Sequence, residues 1–157
     1  MDLLTVKQYR REFPVTKKYV YLDHAGIAPV SLRVKAAQES FLAESTEGAA
    51  FNYLQWAQRV AEVRKNCARL VNAGVDEIAF IKSTSHGLSI VSEGVDWQSG
   101  DNVLFTEKDF PSNIYPWIRL KSRSVEARAV PAQEGWVKIE DIETLRDERT
   151  RLIALSS

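Results

Sequence analysis

The sequence predicts an α/β fold: a mostly parallel sheet with flanking helices, preceded by an N-terminal helical segment. Two observations carry this expectation. Short apolar, β-prone runs recur at residues 78–81, 102–106, 125–130 and 151–156. Stretches of helical character stand between them, at 83–93, 111–122 and 139–146. Strands that alternate with such helices mark βαβ units and a parallel sheet. Before residue 76 the pattern is helical, so the chain divides into a helical segment with a loop, 1–75, and an α/β domain, 76–157.

Each element has a local reason. Residues 3–13 have helical character that ends at Pro14, which lacks an N–H and restricts the residue before it. Tyr19, Val20, Tyr21 and Leu22 form a β-prone run. Asp23-His24-Ala25-Gly26-Ile27-Ala28-Pro29 reads as a loop, with Gly26 and Pro29 as breakers. Ser31 is an N-cap candidate for a helix to about residue 45, with Gly48 as its exit. In the next helix Trp56, Val60, Val63, Cys67 and Leu70 recur at steps of four and three and line one apolar stripe. Asn72-Ala73-Gly74 supplies its stop. Ser99-Gly100-Asp101 is a turn ahead of the 102–106 strand. Residues 131–135 read as a loop.

Composition narrows the function classes. The 157 residues make about one domain. Hydrophobic residues are 45% and charged residues 27%, which is ordinary globular composition. Lys plus Arg is 21 and Asp plus Glu is 21. That balance removes the strong electrostatic case for nucleic acid or an anionic membrane. The single cysteine, Cys67, forms no intramolecular disulfide, and with His24 and His86 it is too little for a Cys/His zinc quartet. No metal site is expected. The first residues are charged throughout, and no apolar run approaches the roughly 18 residues of a membrane span. A cytoplasmic location is expected.

Three segments can carry chemistry. Lys82-Ser83-Thr84-Ser85-His86-Gly87 lies between a strand and a helix. A helix N-terminus offers unpaired N–H groups and the positive dipole end to a phosphate. Thr84 and Ser85 add hydroxyls, and Gly87 permits close approach to the backbone. The same residues read equally as a Ser/Thr cap with no ligand. Asp109-Phe110-Pro111-Ser112-Asn113 also follows a strand, and Phe110 can stack on a planar ligand or serve as a core aromatic. His24, in the Asp23–Gly26 loop, titrates near neutrality and is either a substrate contact or a hydrogen-bonded turn residue.

Read in order, the segments resemble one family. Tyr19 to Ala25, Val63-Arg64, Asp76-Glu77-Ile78, Thr84-Ser85, Gly100-Asp101, Phe110 to Asn113 with Pro116-Trp117, and Thr150-Arg151-Leu152 fall at family-like spacing. The chain resembles the N-terminal part of a class V aminotransferase-fold enzyme dependent on pyridoxal 5'-phosphate. That group includes cysteine desulfurases, kynureninase and isopenicillin-epimerase-like proteins. The resemblance implies that Thr84 and Ser85 hold the cofactor phosphate, that Phe110 covers the pyridine ring, and that His24, Ala25 and Gly26 border the substrate pocket. It implies an amino-acid substrate and a homodimer. Cysteine desulfurases have a histidine in place of Phe110, and a phenyl ring transfers no proton. No lysine of this chain matches the position of the family's cofactor-bound lysine, so no catalytic residue is assigned within it. The sequence is therefore expected to be a catalytically incomplete fragment. The alternative is a short non-catalytic α/β protein that binds a phosphate ligand or a partner. A further expectation is that the 78–81 strand lacks neighbours and leaves apolar surface open.

Overall fold

A computed structural model describes residues 3–156. The chain divides after Ile78 into two compact units.

The first unit is helical. Helix α1, Leu3–Arg11, is followed by a 3-10 turn at Pro14–Lys17. Helix α2, Leu32–Gly48, starts where the Val34 amide donates to Ser31 Oγ at 3.2 Å, and it ends at the expected glycine. Helix α3, Tyr53–Val71, ends with Asn72 in the left-handed conformation (φ 54°), which closes the last turn onto Ala68 O. Between α2 and α3, Phe41 and Trp56 pack with ring centroids 5.0 Å apart. The Trp56 indole N–H donates to Glu44 Oε2 at 2.8 Å, and that bond, more than Ser40 or Arg59, holds the Glu44 carboxyl below its usual range. Residues 19–22 form no strand, although their types favour one. They are mostly exposed coil, no strand among the described residues pairs with them, and β propensity acts only through a partner.

The second unit is built on a three-stranded parallel sheet in which residues 102–106 lie between residues 126–130 and 150–154. Its strands are β1, Asn102–Thr106, β2, Glu126–Val130, and β5, Thr150–Ala154. Helix α4, Thr84–Gly94, precedes β1. Every residue of the central strand β1 is buried, as a strand flanked on both sides requires. Val103, Phe105, Trp117, Leu120, Val125 and Ala154 form the core, with Leu88 and Trp97 packed against it. At the amino ends of the strands, buried Asn102 donates to Asp147 Oδ1 and accepts from Thr150 Oγ1, both at 2.7 Å. Arg128 Nη1 donates to Asp147 Oδ2 at 2.7 Å. Gly100 sits at φ +87°, the conformation that makes glycine the residue for that turn.

Three expectations need correction. Residues 78–81 form no strand and join neither sheet: Arg64 Nη1 donates to Ile78 O, and Phe80 and Ile81 are about half exposed, so the run stays coil. The 111–122 helix is broken into a 3-10 turn at Pro111–Asn113, helix α5 at Tyr115–Arg119, and a second 3-10 turn at Leu120–Arg123. Pro116 accounts for the first break, because its ring lacks an N–H and clashes with the carbonyl four residues back, and it is tolerated in the first turn of α5. The 131–135 loop contains half of a hairpin, in which β3, Ala132–Gln133, pairs antiparallel with β4, Trp136–Val137. Its two turn residues, Glu134 and Gly135, both have positive φ, as a two-residue hairpin turn of the primed type demands. Helix α6, Ile139–Leu145, then leads to β5.

Candidate functional site

Helix α4 begins as a cap-bounded N-terminus. Ser83 is extended, and its Oγ accepts the His86 amide at 3.3 Å while its carbonyl accepts the Gly87 amide at 3.1 Å. The amides of Thr84 and Ser85 come earlier in the helix, where no intrahelical acceptor exists. Among the described residues none accepts from them. Both side chains are exposed. Two free amides, two hydroxyls and the positive helix end are therefore offered to solvent together. A Cβ on Gly87 would come 2.5 Å from Ile81 Cδ1, the movable end of that side chain. The Lys82 amide donates to His86 Nδ1 at 3.4 Å, which leaves Nε2 of the neutral ring as the protonated nitrogen.

Phe110 follows the carboxyl end of β1. It is 74% exposed, whereas Trp117, seven residues on, is 1% exposed. The core-aromatic alternative for Phe110 is thereby removed, and Trp117 is the ring that belongs to the core. Ser85 and Phe110 line one cleft of about 310 Å³ with Ser89, Ser112, Tyr115 and Arg119. Thr84 is not among its lining residues. On its other side Phe110 borders a cleft of about 610 Å³ with Thr106, Lys108, Trp136 and Leu155. The larger one contains Thr106, the last residue of β1, and Leu155, and so lies at the carboxyl ends of strands, where open α/β sheets bind ligands.

Sequence reasoning passed over two residues here. Thr106 closes β1 with a buried hydroxyl that has no hydrogen-bond partner among the described residues. Its signal was positional, the last residue of a predicted strand. Arg119 supplies a cation to the cleft that holds Ser85, and its Nη2 lies 3.6 Å from Glu93 Oε1. Among the described residues no group of three or more metal-ligating side chains occurs, and no helix is long and apolar enough to cross a membrane.

His24, Ala25 and Gly26 lie in the first unit, on an exposed loop with its own order. The Tyr21 hydroxyl donates to Ile27 O, and the Gly26 amide donates to Asp23 Oδ1 at 3.0 Å. The Tyr21 and His24 rings meet edge to face at 5.4 Å. A Cβ on Gly26 would fall 2.5 Å from Asp23 Oδ1, so a larger residue there would displace the carboxylate that accepts the Gly26 amide.

A parallel sheet with a phosphate-competent helix start and an exposed aromatic beyond one strand defines an α/β cofactor- or nucleotide-type binding domain. Comparison with known proteins narrows the class. The model of the aminotransferase class-V family matches residues 20–157, and the chain belongs to that family. It is 35% identical to a probable cysteine desulfurase of Methanothermobacter thermautotrophicus, over 99% of this chain and 40% of that protein. It is 29% identical to a cysteine desulfurase of Salmonella dublin, over 96% of this chain and 41% of that protein. Among solved structures, a mutant of C-DES with glycine covalently linked to its PLP cofactor superposes with a TM-score of 0.85 at 22% identity, over 93% of this chain and 40% of that one. The apo cysteine desulfurase of Thermococcus onnurineus NA1 gives 0.82 at 23% identity, over 95% and 39%. These structures share the fold. The chain spans about 40% of the length of the curated relatives.

Proposed function

We propose that this chain supplies the phosphate-binding and ring-covering half of a pyridoxal 5'-phosphate site in an enzyme acting on an amino acid. The observation that carries this reading is the cleft shared by Ser85 and Phe110 at the free N-terminus of α4. The residues fit the group. A phosphate dianion suits two unpaired amides, two hydroxyls and a helix dipole, and the exposed Phe110 ring offers a face to a pyridine. When bound, pyridoxal phosphate supplies an electron sink for bonds at an amino acid's α-carbon. Thr84 and Ser85 would hold the phosphate, and Phe110 would cover one ring face and exclude water from it. Phe110 carries no titratable atom, so it moves no proton there. That separates this position from the histidine of desulfurases and favours another branch of the family. The Asp23–Gly26 loop would border the substrate, with Asp23 holding the turn and His24 meeting solvent. The family resemblance supports a homodimer.

Titration with pyridoxal 5'-phosphate and with pyridoxal, which lacks the phosphate, tests the reading. Thr84→Ala removes a charge-assisted hydrogen bond worth about 1.5–3 kcal/mol, so affinity for the phosphorylated form should fall roughly 10- to 150-fold. Affinity for pyridoxal should stay unchanged. Equal losses for both ligands, or none for either, would remove Thr84 from the phosphate site. Borohydride reduction in the presence of the cofactor should label the nine lysines diffusely, and stoichiometric labelling at one of them would overturn the view that the chain lacks the family's lysine.

A further inference from the structure

We propose that Asp109, Asn113 and Trp117 are positioning residues that fix the Phe110 backbone, and with it the base from which the exposed ring projects, by a hydrogen-bond relay running from the core to the cleft. The functional half rests on the reading of Phe110 as a ring cover; the structural half stands by itself. The Trp117 indole is buried in the core and donates from Nε1 to Asn113 Oδ1 at 3.1 Å. Asn113, also buried, donates from Nδ2 to Asp109 Oδ2 at 2.7 Å. The other carboxylate oxygen, Asp109 Oδ1, accepts the Phe110 amide at 2.6 Å. The Phe110 carbonyl accepts the Asn113 amide at 2.8 Å. Both backbone polar groups of Phe110 are thus tied to the relay. Pro111 holds the preceding residue extended, and Phe110 sits at φ −65°, ψ 142°.

The chemistry of the three residues gives the relay one direction. An indole N–H only donates and a carboxylate only accepts, so the carboxamide between them has one orientation that satisfies both. Neither the Asn113 oxygen nor its nitrogen can turn over without stranding a buried polar group, which is costly. An exposed aromatic side chain ordinarily samples several rotamers on a mobile backbone. Here its backbone is immobilised before any ligand arrives, which lowers the ordering cost of binding.

The test is a donor–acceptor swap. Asp109→Asn and Asn113→Asp each break the complementarity of the pair, while Asp109→Asn/Asn113→Asp restores it with the donor and acceptor exchanged. Trp117→Phe keeps a core ring and removes only the far N–H. Amide hydrogen exchange is read at Phe110 and, as an internal control, along β1. Each single substitution should speed exchange at Phe110 roughly tenfold with β1 unchanged, and the swap should return it to near the parent rate. Unchanged exchange in the single variants, or a swap no better than they are, would overturn the relay. In parallel, affinity for pyridoxal 5'-phosphate should drop several-fold in the single variants, recover in the swap, and show no further drop when the same changes are made on Phe110→Ala. A drop that persists on Phe110→Ala would overturn action through that ring. If Phe110→Ala itself leaves affinity unchanged, the ring-cover reading fails, and the exchange rates still decide the relay.

Discussion

The two units differ in what holds them. Among the described residues the first unit has one buried hydrophobic residue, Ala68, while the second has nine, from Val103 to Ala154. The α3 stripe is amphipathic as its spacing dictates, yet Val60, Val63 and Leu70 remain exposed. The first unit is therefore held by local devices: the Ser31 cap, the Asn72 stop, the Glu12 carbonyl accepting the Leu32 amide at 2.9 Å, and the Trp56–Glu44 bond. The second is held by burial around β1. Periodicity makes a helix, but stability comes from covering its apolar face.

Substitutions sharpen that contrast. Trp117→Ala, in the second unit's core, should cost about 3–5 kcal/mol in denaturant unfolding monitored on that unit. A loss below 1 kcal/mol would mean the core is not what holds it. The next effect is a pH dependence read on the second unit, apart from the one that Glu44 gives the first. Hydrogen bonds from Arg128 first, and then Asn102, hold the Asp147 carboxyl down to about 2. A carboxyl depressed on folding adds stability that is present above its unfolded pKa and lost as pH falls through the folded one. Stability should therefore decline between about pH 4 and 2, and Asp147→Asn should flatten that part of the curve. A parent and variant that fall in parallel would show that the Asn102–Asp147–Arg128 network is not the acid-sensitive element. In the first unit, Ser31→Ala should cost about 1 kcal/mol, read as lost α2 helicity with the second unit unaffected. Smallest of all, Val63→Ala on the exposed stripe should stay within about 0.5 kcal/mol, well below the effect expected at Trp117.

What the sequence disclosed follows the same division between local and distant causes. The limits of α2, α3 and α4 are local, set by Ser31, Gly48, Asn72 and Ser83, and each could be read directly. β1 announced itself as a continuous apolar run. Residues 19–22 and 78–81 misled because β propensity says nothing about whether a partner strand is present. The β3–β4 hairpin escaped because Glu134-Gly135 is a weaker turn signal than Asn-Gly, and the strands it joins are two residues each. At the candidate site, Thr84, Ser85 and Phe110 were visible as residues that follow strand-like runs. Thr106 was marked only by its place at the end of a strand; Arg119 and the Asp109–Asn113–Trp117 relay were not visible, since each depends on which side chains meet in space.

The exposure of Phe110 beside the burial of Trp117 is the point on which the functional account turns. Titration of pyridoxal 5'-phosphate into Phe110→Ala and Phe110→His, beside thermal melts without cofactor, measures it directly. The account predicts melts close to the parent's, since an exposed ring contributes little to stability. It predicts affinity lowered about 2- to 12-fold in Phe110→Ala, the loss of a stacking term of roughly 0.5–1.5 kcal/mol, with much of it retained in Phe110→His. Variants that melt well below the parent and bind the cofactor with unchanged affinity would contradict it.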